Sequence, residues 1–179
     1  MALILLRHTR PAAPPGLCYG RADLDLADSF EAEARAVLKA APPADAVISS
    51  PLRRCLTLAR RIAAARGQEV RVDERVREMD FGTWEGRLWA DIPREELDAW
   101  AADFLNARPH GGESVAMLRE RTRAALAEHG AGGGARLIVT HAGVIKAALA
   151  RGSEASDYDI AVAFGGWTAL SPDDDRSAP

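Results

Sequence analysis

Hydrophobic positions along the chain follow two periods in alternation. Ala2 to Leu6 (ALILL) is an unbroken aliphatic run, short enough for a strand and apolar enough to be covered on both faces. Asp45 to Ser50 (DAVISS) and Arg136 to His141 (RLIVTH) read the same way, whereas Glu69 to Asp73 (EVRVD) alternates like an edge or half-covered strand. Between these runs the spacing turns helical. Asp28 to Ala41 carries Phe30, Ala34, Val37, Leu38 and Ala41 on one stripe and stops at Pro42-Pro43. Leu52 to Arg66 has Pro51 near its start and Gly67 just past its end, the asymmetry expected of a helix. Further helices are expected over Asp91 to Asn106, Ser114 to His129 and Gly143 to Ala150. Gly130 to Gly134 (GAGGG) reads as a loop, and Ile160 to Leu170, broken at Gly165-Gly166, as one or two closing strands.

Strands alternating with helices predict an α/β fold: a three-layer α/β/α sandwich on a mostly parallel central sheet. The length of 179 residues suits one domain, expected over 1–170, with a polar tail over 171–179. In such sheets ligands bind outside the carboxyl ends of the strands. Those ends carry Arg7, His8, Thr9 and Arg10 after the first strand and Ser49 to Arg54 after the second. Thr140, His141, Ala142 and Gly143 follow the last of the parallel runs. Two histidines and several arginines therefore converge at one edge of the predicted sheet.

Composition narrows the chemistry. Hydrophobic residues make up 47% and charged ones 27%, a globular balance. A net charge of −3 gives no general attraction to nucleic acid or to an anionic membrane. No run approaches the ~20 apolar residues of a membrane span, and the first run is too short for a signal peptide. Cys18 and Cys55 are the only cysteines and form no metal-binding pattern, so a reducing cytoplasm is expected.

Among the 23 Lys and Arg, only Lys39 and Lys146 are lysine. Codon usage accounts for most of that bias, but position gives some arginines meaning. Guanidinium groups beside a histidine oppose its protonation, and a neutral imidazole offers a free nitrogen to an electrophile or a metal. A metal held by His8, His141 and a carboxylate would face repulsion from the same arginines. A phosphoryl group instead matches the arginine fork at any working pH.

The motifs then line up with a known family. LLRHTRP near the N-terminus, SSPLRRCLTLA (Ser49 to Ala59), REMDFGTWEG (Arg77 to Gly86), PHGGES (Pro109 to Ser114) and VTHAG ending at Gly143 resemble the successive motifs of the histidine phosphatase superfamily, the phosphoglycerate-mutase-like enzymes. The stretch RHTRP…GLCYGRADLDL also resembles its α-ribazole phosphatase branch, which acts in cobalamin biosynthesis. The resemblance implies that His8 is the nucleophile, that Arg7 and Arg54 bind phosphate, and that His141 donates to the phosphoryl oxygens. Glu78 matches the acid/base position, with Asp80 and Glu85 as alternatives in the same run. Arg53 and Arg54 would point about 100° apart on a helix, and the spacing after SSPL assigns Arg54 to the pocket.

Further expectations concern the substrate side. Thr9, Arg10, Cys18, Tyr19 and Arg21 are expected there. Glu113 is expected either beside substrate or, with Ser114, at the cap of the following helix. His110 and His129 are expected at the surface, and Trp89 and Trp100 in an amphipathic helix packed on the domain. Many members of the family have glycine where Thr9 stands, and an acidic residue or glutamine at Arg10; the α-ribazole branch shares this variant. Cys55 is read as a buried small thiol. The expected protein is a metal-independent phosphomonoesterase without cofactor, acting through phosphohistidine on a small phosphorylated metabolite such as α-ribazole 5′-phosphate. It is expected to be a monomer or homodimer that binds neither nucleic acid nor membrane. The alternatives are a phosphoglycerate mutase and a catalytically silent phosphate-binding protein.

Overall fold

A computed structural model describes residues 2–170; the expected polar tail over 171–179 lies outside the described residues. In chain order the elements are β1 (Ala2–Arg7), α1 (Phe30–Ala40), β2 (Ala46–Ser49), α2 (Arg53–Arg66), β3 (Val70–Val72), α3 (Arg94–Ala102), α4 (Val115–Ala131), β4 (Ala135–Thr140), α5 (Ala142–Leu149) and β5 (Trp167–Leu170). Short 3-10 turns fill the segment between β3 and α3. The sheet order is β3-β2-β4-β1-β5. β1, β2, β3 and β4 run parallel, and β5 pairs with β1 in the opposite direction. The expected α/β sandwich with a mostly parallel sheet is the architecture found.

Continuous apolar runs form these strands because both sheet faces are covered. Ile4, Leu6, Val47 and Val139 bury against Phe30, Val37, Leu58 and Ile62 of α1 and α2. Leu3, Leu5, Ile48 and Ile138 bury on the other face against Leu118, Val144 and Ile145 of α4 and α5. α2 ends at Gly67 with φ of +64°, and the Gly67 N–H returns to the carbonyls of Ala63 and Ala64, the left-handed closure glycine makes without strain.

The helix expected over Asp91 to Asn106 is shorter than its apolar pattern. Pro93 sits at the N-cap of α3, and Trp89 belongs to a separate 3-10 turn. No α3 residue is fully buried; this segment folds instead around Trp84, which forms a small third core cluster with Cys18 and Ile92.

Register then fixes the site. Arg7 lies opposite Thr140, so the residues that follow, His8 and His141, leave the sheet side by side. The His8 N–H donates to the Thr140 carbonyl at 3.0 Å, continuing the ladder one step past the strand. Gly165 closes the far side by donating its N–H to the carbonyls of Arg7 and His8. Among the described residues no helix is long and apolar enough to cross a membrane.

Candidate active site

His8 is 2% exposed, and its Nδ1 lies 2.6 Å from the Thr9 carbonyl oxygen. A carbonyl only accepts, so Nδ1 carries the proton and Nε2 keeps its lone pair. Burial, with Arg54 and Arg7 adding to it and the Thr9 bond opposing, lowers the His8 pKa to about 3. The ring is therefore neutral at ordinary pH. His141 stands edge-on to it with ring centroids 5.1 Å apart. His141 Nε2 lies 2.8 Å from Ser50 Oγ, and burial, followed by the charges of His8 and Arg54, holds its pKa well below the usual histidine range. Cys55 Sγ sits 3.4 Å from the same nitrogen, and burial raises the pKa of that thiol.

Two arginines flank the histidines. Arg54 is fully buried, and its Nη1 and Nη2 donate to the carbonyls of Ala22 and Gly20 at 2.7 and 2.6 Å. Its neighbour Arg53 points outward to Asp25. The Tyr19 ring lies under the Arg54 guanidinium at 5.3 Å. Arg7 Nη1 donates to the Val162 carbonyl at 2.5 Å, and its guanidinium stacks on Phe164 at 3.7 Å. Arg7 Nε, Arg54 Nε and Thr9 Oγ1 are buried without a hydrogen-bond partner. A buried donor left unmade costs about 1–3 kcal/mol. Three at the carboxyl edge of the sheet form a site shaped for an acceptor that brings several oxygens.

Among the three carboxylates of the REMDFGTWEG run, two are occupied elsewhere. Glu85 accepts from the N–H groups of Arg21, Ala22 and Phe81, and so holds the loop whose carbonyls bind Arg54. Asp80 accepts from the Gly82 N–H and faces Arg21 at 3.4 Å. Glu78 is the one tied to the first turn of α5, two residues after His141. Its Oε1 accepts from the Met79 N–H at 2.9 Å and its Oε2 from the Gly143 N–H at 3.1 Å. A Cβ at Gly143 would fall 2.2 Å from Glu78 Oε1, so a side chain there would push the carboxylate out of this position. Each carboxylate oxygen retains a free lone pair or proton position for a ligand.

Several expectations are corrected. Glu113 does not face a ligand: it pairs with Arg121 through both oxygens, at 2.7 and 2.8 Å, and the cap of α4 is Ser114, whose Oγ accepts from the Met117 N–H. Cys18 is buried against Trp84 and Ile92 rather than lining the substrate side. Arg21 is held by Asp80, and Arg10 lies on the exposed rim against Glu33, 5.9 Å from Phe164. Thr9 and Tyr19 are in place beside the histidines and arginines. His110 and His129 are buried, not superficial; His110 packs on Trp84 with centroids 4.7 Å apart, and His129 Nε2 meets Asp73 at 2.8 Å.

Sequence reading missed Arg121. It donates to the carbonyls of Arg75, Arg77 and Glu78 while paired with Glu113. The available signal was a charge placed one helical step from buried Leu118 and Thr122 on α4. The residue anchors the backbone that carries Glu78.

The profile of the histidine phosphatase superfamily (branch 1) matches residues 3–178 of this chain. The chain belongs to that superfamily. Adenosylcobalamin/alpha-ribazole phosphatase of Salmonella typhimurium is 30% identical over 181 residues, covering 95% of this chain and 90% of that protein. Phosphoserine phosphatase 1 of Hydrogenobacter thermophilus is 31% identical over 132 residues, covering 70% of this chain but only 63% of its own length. The solved structure of a mycobacterial glucosyl-3-phosphoglycerate phosphatase superposes with a TM-score of 0.80 at 30% identity, covering 95% of this chain and 89% of that one. The superfamily and these phosphatases support a phosphoric monoester hydrolase on an α/β fold of the phosphoglycerate-mutase kind.

Proposed function

We propose that the protein hydrolyses a phosphate monoester through a phosphohistidine on His8. The observation that carries this reading is a neutral His8 with its Nε2 unencumbered, set among the unpartnered donors of Arg7, Arg54 and Thr9. Those donors and His141 receive the phosphoryl oxygens, and the guanidinium charges offset the charge that develops as the ester bond breaks. His8 Nε2 attacks phosphorus in line. The P–O bond to the alcohol breaks, and Glu78, entering protonated, gives its proton to the departing oxygen. The Glu78 carboxylate then takes a proton from water, whose oxygen attacks the phosphorus. Phosphate leaves, His8 is restored and Glu78 is protonated again.

His8→Ala is expected to abolish both turnover and the acid-labile phosphoenzyme formed from acetyl phosphate. Hydrolysis by that variant at the wild-type rate would overturn the mechanism. The substrate is a small phosphorylated metabolite. Within that class α-ribazole 5′-phosphate is favoured by the relative that aligns over nearly all of both chains and by the segment from Arg7 to Leu26. Release of phosphate without isomerisation of phosphoglycerates separates this reading from a mutase. Two free, buried thiols suit the cytoplasm as its compartment.

A further inference from the structure

Ser50 directly follows β2, and its N–H donates to the Val139 carbonyl at 3.0 Å. That bond holds it beside the end of β4, where His141 leaves the sheet. The residue is fully buried. Its Oγ lies 2.8 Å from His141 Nε2 and accepts from the Leu52 N–H at 3.4 Å. An amide only donates, so the single proton of the hydroxyl has to go elsewhere. Two acceptors stand beside it, His141 Nε2 and the sulfur of Cys55. A thiol sulfur accepts weakly. The Cys55 thiol gives its own proton to the Thr140 carbonyl, with Sγ 3.4 Å from that oxygen, and burial keeps the thiol protonated. The arrangement that serves every one of these donors sends the Ser50 O–H to Nε2.

A neutral imidazole carries one proton, and a ring nitrogen that accepts leaves it on the other. Burial, followed by the charges of His8 and Arg54, keeps a second proton off His141. With Nε2 accepting, the proton sits on Nδ1. There its one hydrogen-bonding neighbour among the described residues is Cys55 Sγ at 3.8 Å, too far and too weak an acceptor to engage it. Nε2 is committed to the end of β2, and Nδ1 is the nitrogen left for a phosphoryl oxygen. The opposite tautomer would spend its N–H on Ser50 and present a bare lone pair at Nδ1. His8 Nε2 also keeps its lone pair, and two such lone pairs would repel an oxygen that one N–H attracts.

We propose that Ser50 is a positioning residue: its hydroxyl holds His141 as the Nδ1–H tautomer, so that the second histidine meets the phosphoryl group as a donor. The donor role rests on the phosphohistidine reading; the tautomer does not.

The test is long-range proton–nitrogen correlation NMR on protein isotopically labelled in its histidine nitrogens, near neutral pH and without phosphate. The His141 signals are assigned from their loss in His141→Gln. The wild type is expected to show a protonated Nδ1 and an unprotonated Nε2. Cys55→Ala removes the other neighbour of Nε2 and is expected to keep that pattern. Ser50→Ala is expected to move both nitrogens toward averaged, mixed-tautomer shifts, and Ser50→Thr, which keeps the hydroxyl, to retain the wild-type pattern. Inorganic phosphate titrated into the same samples is expected to bind about tenfold more weakly to Ser50→Ala than to the wild type, the size of one lost hydrogen bond to a charged group. A proton on Nε2 in the wild type overturns the inference, and that measurement needs no variant to fold. So does an Nδ1–H pattern that survives Ser50→Ala, or a mixed pattern with unchanged phosphate binding. Labelling of His8 by acetyl phosphate is read separately. Its absence beside the expected spectra overturns the phosphohistidine reading, and leaves Ser50 setting a donor for bound phosphate.

Discussion

At the scale of single residues, protonation decides what His8 can do. The Thr9 carbonyl fixes the proton on Nδ1, and burial with two nearby guanidinium groups keeps a second proton off Nε2 down to about pH 3. Between that value and the ordinary 6.5, the unfolded chain binds a proton that the native one refuses. Stability is then full above about pH 6.5 and falls as the pH drops toward 3, with a slope of up to ~1.4 kcal/mol per pH unit from this residue. Urea midpoints measured without phosphate are expected to fall less steeply over that window in His8→Asn than in the wild type. Parallel curves would show that His8 is not held neutral by the fold. Arg54 illustrates a second residue-scale demand, since its two Nη atoms are already spent on Gly20 and Ala22. A lysine carries its three donors on one nitrogen and cannot span both carbonyls and the site as the planar fork does. Arg54→Lys is expected to lower kcat/KM about 100-fold, the size of effect of losing one preorganised donor. A loss of less than threefold in steady-state kinetics would remove Arg54 from the phosphate site.

At the scale of elements, the histidines meet because two strands share a register, and Glu78 reaches the first turn of α5, just after His141, because Gly143 carries no side chain there. Gly143→Ala places a methyl where the Glu78 carboxylate lies. The expected result is an unchanged far-UV spectrum with kcat reduced ~10-fold or more for alkyl phosphates. A smaller loss is expected for acetyl phosphate, whose leaving group needs less help from an acid. Equal losses on both substrates would argue that Glu78 does not protonate the leaving oxygen. Arg121 works through the same segment. Removing one partner of a buried ion pair costs about 3–5 kcal/mol, and a hydrogen bond to a charged group about 1.5–3; for this partly buried pair, Arg121→Met is expected to lower stability by about 2–3 kcal/mol in denaturant titration. The strands and the helices α1, α2 and α4 were legible because an apolar run or stripe is directly imposed by burial on two sheet faces. The segment from Arg77 to Pro109 was not: Pro93 ends one pattern and starts another, and the fold there follows tertiary packing around Trp84 rather than local periodicity. Glu113 and Cys18 were misplaced for the same reason. A carboxylate and a thiol near the site in sequence carry no signal of which neighbour will claim them, and Arg121 and Trp84 claimed them from other segments.

At the scale of the whole molecule, the question is how a chain with a net charge of −3 holds a phosphate dianion. Among the described residues, exposed pairs such as Arg94 with Asp98 and Arg61 with Glu31 neutralise one another in high dielectric. The fold gathers uncommitted donors at one sheet edge instead, where burial makes each worth more than at the surface. This is the part of the arginine bias with chemical meaning, and strand-end position alone exposed it in the sequence. The distant carbonyls that aim each guanidinium could not be read there. In the proposed mechanism Arg7 and Arg54 supply as fixed charges what a divalent cation supplies in other phosphoryl-transfer sites. Exhaustive dialysis against a chelator is therefore expected to leave kcat/KM within twofold, with inorganic phosphate and vanadate acting as competitive inhibitors. Inhibition by phosphate should weaken as ionic strength rises, because the attraction is between charges and is screened. Loss of activity on chelation that magnesium or zinc restores would mean that the arginine pair does not carry the phosphoryl charge, and the balance of charge at the sheet edge would have to be assigned anew.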